Sequence, residues 1–232
     1  MAAVHSILGE KVTMPVEIRV ADAASAMFLA DADAARNMLG GNGLEPVTIA
    51  GRAICTLVFV RYIDGDLGPY HEFGLAVLAQ LPGDRSSVGI YISWLPVNQP
   101  FTLAAGREIW GFPKEMADIR ITSRGRGRRC EVLMDGRLVV ALETSGGIPA
   151  PAKLGGASIA AYTDLDGVLR STPWVMNPSD VRMRPGGARV ELGEHPIAEQ
   201  MRALGLPRRA LFTSEIGSLR MTFEDAREIG RA

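Results

Sequence analysis

Only three of the 25 cationic residues are lysines, Lys11, Lys114 and Lys153; the other 22 are arginines. An arginine stays charged, whereas a lysine amine that loses its proton can attack a carbonyl. Lys11 sits in a polar N-terminal stretch and Lys153 beside Gly155-Gly156 in a Pro/Ala loop. Lys114 alone follows an aromatic segment, AGREIWGFPKEMAD at 105–118, which places Trp110, Gly111, Phe112 and Pro113 before it. A free lysine titrates near ~10.4, so about one amine in a few thousand is neutral at pH 7. Bringing such a group to about 7 takes roughly 4.6 kcal/mol. Apolar burial, a neighbouring cation, or both would have to supply it. The competing reading is a lysine whose stem packs on Trp110 with its head in water. On composition alone that second reading is the better one.

Other chemistries find less support. His5, His71 and His195 are scattered without metal-ligand spacing, so no metal is expected. His195, next to Pro196 at a helix start, reads as a cap or surface residue. Ser145 and Ser214 lack a nucleophile-elbow context. The glycine pairs do not build a dinucleotide or phosphate loop, and no cofactor is expected. Cys55 and Cys130 lie in apolar runs and read as buried thiols. The arginines at 124, 126, 128 and 129 read as a solvated hairpin tip, because no aromatics interleave and the net charge is −1. No nucleic-acid partner is expected. No run of apolar residues is long enough for a membrane span and no signal peptide is visible, so a cytoplasmic protein is the expectation.

Strand-like runs occupy 53–63, 70–81, 88–95, 116–122, 130–134, 137–143, 168–175 and 188–192, bounded by turn formers. Asp135-Gly136 marks a tight hairpin. Short connections make neighbouring strands antiparallel. Helices are expected at 31–39 and 196–204, and the tail is ambiguous, with 223–229 open to a helical reading. The expected fold is α+β and mainly antiparallel, a sheet closing into a cone or barrel with a few short helices.

Two motifs resemble the acetoacetate decarboxylase superfamily. In GREIWGFPKE the family carries its imine-forming lysine directly after the proline, at Lys114. In GPYHEFG it carries a Tyr-x-Glu pair, matching Tyr70 and Glu72. Weaker similarity at FLADADAARNML, ARVELGEHPIAEQM and 212–229 extends the resemblance over residues 1–232 as one domain. Three positions depart from the family. Its second lysine, after the first, is Glu115 here, which alternation along an extended chain turns away from Lys114. Its pocket arginine falls on Ala21, and Arg19, two residues earlier, is a candidate substitute on the same strand face. Its second pocket glutamate falls on Leu57.

The resemblance implies a lyase that forms an imine between Lys114 and a small oxo acid, with Glu72 as general acid/base. Tyr70, Phe112, Trp110, Trp94 and Arg19 are the expected substrate contacts. Arg107 and Glu108 are expected to form a structural ion pair. Three functions compete: decarboxylation of acetoacetate or a related β-keto acid, an aldolase-dehydratase or hydratase reaction on pyruvate or other 2-oxo acids, and ligand binding in a barrel without catalysis. A homo-oligomer with no membrane partner is implied.

Overall fold

The computed structural model describes residues 3–150 and 157–231; Lys153 lies outside them. The chain opens with a hairpin of β1 (Val4–Ile7) and β2 (Glu10–Thr13), then runs along β3 (Val16–Ala30) into helix α1 (Ala32–Met38). Short strands β4 (Glu45–Pro46) and β5 (Thr48–Ile49) precede β6 (Arg52–Gly65), β7 (Tyr70–Gln80) and β8 (Gly89–Val97). Helix α2 (Pro100–Trp110) leads into β9 (Lys114–Met116). β10 (Asp118–Arg124), β11 (Gly127–Met134) and β12 (Arg137–Thr144) form a meander, followed by β13 (Ile148–Pro149), β14 (Ala157–Leu165) and β15 (Val168–Pro185). β16 (Ala188–Leu192), α3 (Pro196–Ala203), β17 (Phe212–Phe223) and β18 (Arg227–Arg231) complete the order.

The main sheet returns on itself. β7, β6, β3, β17, β15, β14 and β8 pair in that order, and β8 also pairs with β7. This curled circuit is antiparallel except between β14 and β8, and β9 adds outside it, parallel to β8. It has the expected α+β, mainly antiparallel character without being a regular barrel. A smaller sheet, β10-β11-β12-β16, packs against one side.

That packing explains why β6 and β7 read as almost unbroken apolar runs, because both of their faces are buried. Cys55, Leu57, Phe59, Phe73, Leu75 and Val77 face the smaller sheet and meet Cys130, Val132, Val140 and Leu142. The alternate residues, Val58, Val60, Tyr62, Tyr70, Glu72 and Gly74, face the inside of the circuit. Leu57, where the family's second glutamate was expected, is therefore on the wrong face for any pocket inside. Cys55 and Cys130 are buried free thiols.

Several local signals act as read. Asp31 accepts hydrogen bonds from the backbone N–H groups of Asp33 and Ala34, capping α1. His195 accepts one from Ile197 N at the start of α3. Asp135 and Gly136, both at positive φ, turn β11 into β12.

Other expectations need correction. α2 carries no strong periodicity, yet Pro100 opens it and Gly111 closes it in the left-handed conformation at φ 64°. The tail is β17 and β18 rather than a helix over 223–229. β15 continues past the expected end at 175, through Asn177-Pro178 to Pro185. The arginine hairpin tip is not wholly solvated. Arg128 reaches Asp22 on β3, and Arg129 bridges Glu131 and Glu191. Arg107 and Glu108 are exposed on α2, and among the described residues they form no ion pair with each other. No helix is long and apolar enough to cross a membrane among the described residues.

Candidate active site

Lys114 is positioned by the way α2 ends. Gly111 N donates to Arg107 O, and Phe112 N donates to Gly106 O, a paired C-terminal cap that only a left-handed residue completes easily. Pro113 then prevents the helix from continuing, and the chain enters β9 with Lys114 opposite Leu95 of β8. β8 separates β9 from β7, so Lys114 and Glu72 start about 10 Å apart, two strand spacings. The lysine stem, running across the face of α2, and the Glu72 side chain span that distance between them. The stem passes over Gly106, where a Cβ would lie 2.5 Å from Lys114 Cδ and 2.6 Å from Cε. The glycine of the Gly-Arg-Glu motif thus makes room for the stem.

At its end the amine is buried. Lys114 is 3% exposed and Glu72 7%. Lys114 Nζ donates to Glu72 Oε2 at 2.8 Å and to Thr102 Oγ1 at 3.2 Å. Tyr62 OH donates to the other carboxylate oxygen, Oε1, at 2.8 Å. Tyr62 and Tyr70 face each other across β6 and β7 and stack at 4.1 Å. The amine lies 5.1 Å from the Tyr70 ring centroid and 5.9 Å from that of Phe112. Burial, and then the charge of Glu72, push both phenols well above their ordinary range. They remain hydroxyl donors at neutral and moderately alkaline pH.

These groups occupy one end of a cavity with about 690 Å³ of empty space, its mouth included. The remaining wall is apolar: Val58 and Val60 of β6, Gly74 and Ala76 of β7, Ile90, Ile92 and Leu95 of β8. Four aromatic rings close one side. Trp110 and Phe112 stack at 5.6 Å, and Trp174 and Phe223 stack at 5.3 Å. Trp110 is fixed by an Nε1–H bond to Glu224 O at 2.8 Å. Among the described residues, Glu72 and Lys114 are the only charged side chains lining this cavity. No group of three or more His, Cys, Asp or Glu side chains is placed to hold a metal ion among the described residues.

Lys114, Glu72, Tyr70, Phe112 and Trp110 therefore come together. Arg19 and Trp94 do not, and in both cases a β-bulge is the reason. On β3 the register against β6 shifts between Ile18 and Ala21, so Ile18 and Ala21 both point inward and Arg19 points out. Arg19 lies on the surface, forked onto Asp64 at 2.9 Å and bonded to Asp66 at 2.6 Å. Ala21 itself is buried and brings no charge. On β8 the register against β7 shifts between Ile92 and Trp94, so Ser93 is the extra residue. Ile92 and Leu95 line the cavity while Trp94 turns to the smaller sheet. There Trp94 Nε1 donates to Glu115 Oε2 at 2.9 Å, which holds Glu115 away from the amine.

Tyr62, Thr102, Gly106, Trp174 and Phe223 were not singled out by sequence. Two of them had a signal. Tyr62 shares the two-residue period of Val58 and Val60, and Thr102 lies four residues before Gly106 on one helix face.

Comparison with known proteins follows the same lines. The family model described as acetoacetate decarboxylase matches residues 9–216. No curated protein matches significantly. An acetoacetate decarboxylase from Legionella pneumophila superposes with a TM-score of 0.71 at 16% identity, covering 94% of this chain and 88% of that one. The enduracididine biosynthesis enzyme MppR, solved with pyruvate, gives 0.71 at 16% identity, covering 92% and 90%. An acetoacetate decarboxylase-like enzyme from Sphingomonas wittichii RW1 gives 0.64 at 15% identity, covering 94% and 93%. At such identities these neighbours speak for the fold. The family model, matched from β2 into β17, carries the assignment: the chain belongs to the acetoacetate decarboxylase family.

Proposed function

We propose that residues 1–232 form one domain whose Lys114 condenses with the ketone of a β-keto acid and decarboxylates it. The observation that carries this reading is a buried amine in contact with one carboxylate at the polar end of an apolar cavity. Glu72 takes a proton from Lys114 across their contact, the neutral amine attacks the ketone carbon, Glu72 and the Tyr62 hydroxyl move protons at the carbinolamine, and water leaves to give the iminium. The bond to the carboxyl carbon then breaks. Its electron pair moves into the iminium to give an enamine, and CO₂ departs. Protonation of the enamine carbon and hydrolysis return the methyl ketone and the free amine. In sum, one β-keto carboxylate and one proton give one ketone and one CO₂.

The second reading is an aldolase-dehydratase or hydratase reaction on a 2-oxo acid. It is favoured by the similarity to MppR in complex with pyruvate. The cavity weighs against it. A 2-oxo acid keeps its carboxylate through the reaction, and a buried carboxylate needs a charge partner. Once the Lys114 iminium has become the neutral enamine, no other cation lines the wall among the described residues. A β-keto acid loses its charge as CO₂, so an apolar surround assists departure.

Release of CO₂ from acetoacetate by wild type and by Lys114→Ala, set beside enone absorbance from pyruvate plus an aldehyde, separates the readings. Lysine-dependent CO₂ with no enone is the expected result. Enone formation without CO₂ would replace the first reading with the second.

A further inference from the structure

Taking the decarboxylase reading as given, we infer that the preferred substrate is a β-keto acid with an apolar chain or ring on the far side of the ketone, longer than acetoacetate and without a second charge. The charges and hydroxyls of the cavity stand at one end and largely satisfy one another. Both Glu72 oxygens are occupied, by Lys114 and by Tyr62, and Lys114 also engages Thr102. From Glu72 the wall continues along β7 to Gly74 and Ala76. Four residues of strand advance about 14 Å. A four-carbon acid held at Lys114 reaches only the first part of that wall. Val58 and Leu95 close over Gly74, the side chain of Ala76 beyond it is small, and Ile90 and Ile92 of β8 complete an apolar lining. Such a wall gains from burying hydrocarbon and can neutralise no distant carboxylate.

The test is a substrate series with the full-length wild-type protein: acetoacetate, its six- and eight-carbon straight-chain homologues, benzoylacetate, and the eight-carbon homologue bearing a terminal carboxylate. CO₂ release gives kcat/KM for each. We expect the eight-carbon acid to exceed acetoacetate by about tenfold or more. Its dicarboxylate counterpart should fall about a hundredfold below it, because one charge is buried without a partner. Ala76→Leu, which blocks the far end, should lower the ratio of long-chain to short-chain kcat/KM by about tenfold.

Equal or better turnover of acetoacetate, or an unimpaired dicarboxylate, would overturn this substrate class while leaving the decarboxylase reading in place. Failure of every acid to release CO₂ would overturn both. Should Ala76→Leu not fold, the wild-type series alone decides.

Discussion

The amine of Lys114 has exchanged water for two protein partners, Glu72 and Thr102. One charged partner at 2.8 Å serves both to hold the amine and to carry protons to and from it. Glu72→Gln keeps an acceptor for Tyr62 and removes the proton carrier. We expect kcat on acetoacetate to fall by about 10²–10⁴-fold, with the circular dichroism spectrum unchanged. An unchanged kcat would exclude Glu72 from the proton transfers. Gly106 has an equally specific task. In Gly106→Ala the new methyl would meet the Lys114 stem at 2.5–2.6 Å. The stem must shift, and we expect turnover to collapse together with a loss of about 1–3 kcal/mol in urea unfolding. Normal turnover with normal stability would show that the stem does not need the glycine gap.

At the scale of elements, the two bulges decide which side chains reach the cavity. Strict alternation puts Arg19 on the face of Ala21 and Trp94 on that of Ile92, and in each case one extra residue reverses the outcome. Arg19→Ala should therefore leave kcat/KM within about twofold and cost less than about 1 kcal/mol, the usual worth of an exposed ion pair. A large rise in KM would return Arg19 to substrate binding.

The strands at 53–63 and 70–81 were legible because β-branched and aromatic residues cluster between turn formers. The Lys114 and Tyr-x-Glu motifs were legible as short local strings. Neither bulge was legible, because no glycine or proline marks Arg19, Val20 or Ser93, and register depends on the partner strand. The aromatic wall was half legible. Trp110 and Phe112 adjoin Lys114 in sequence, while Trp174 and Phe223 arrive through the β15–β17 pairing from the far end of the chain.

On the scale of the whole molecule, one closed strand circuit encloses the cavity and a second sheet covers β3, β6 and β7 from outside. This double burial leaves acidic groups protonated deep inside. Burial pushes the Cys55 thiol up to about 12 and the Cys130 thiol higher still, and Tyr62 and Tyr70 are raised as well. In the unfolded chain thiols ionise near ~8.5 and phenols near ~10. Above those values the folded state binds more protons than the unfolded state, so stability falls as pH rises. The contribution is intact below about 8.5 and is lost progressively toward 12. Unfolding free energies measured from pH 7.5 to 10.5 should decline, by roughly 2–3 kcal/mol for each buried thiol at the alkaline end. A flat profile would mean that these groups are not held as buried acids.

All of these elements converge on one atom, Lys114 Nζ, and one bond that it is proposed to form. Borohydride reduction in the presence of acetoacetate, followed by intact mass and peptide mapping, tests that bond directly. A single stable adduct is expected on the wild-type protein, mapped to Lys114 and absent from Lys114→Ala. An adduct on another lysine, or CO₂ release that persists at full rate in Lys114→Ala, would contradict it.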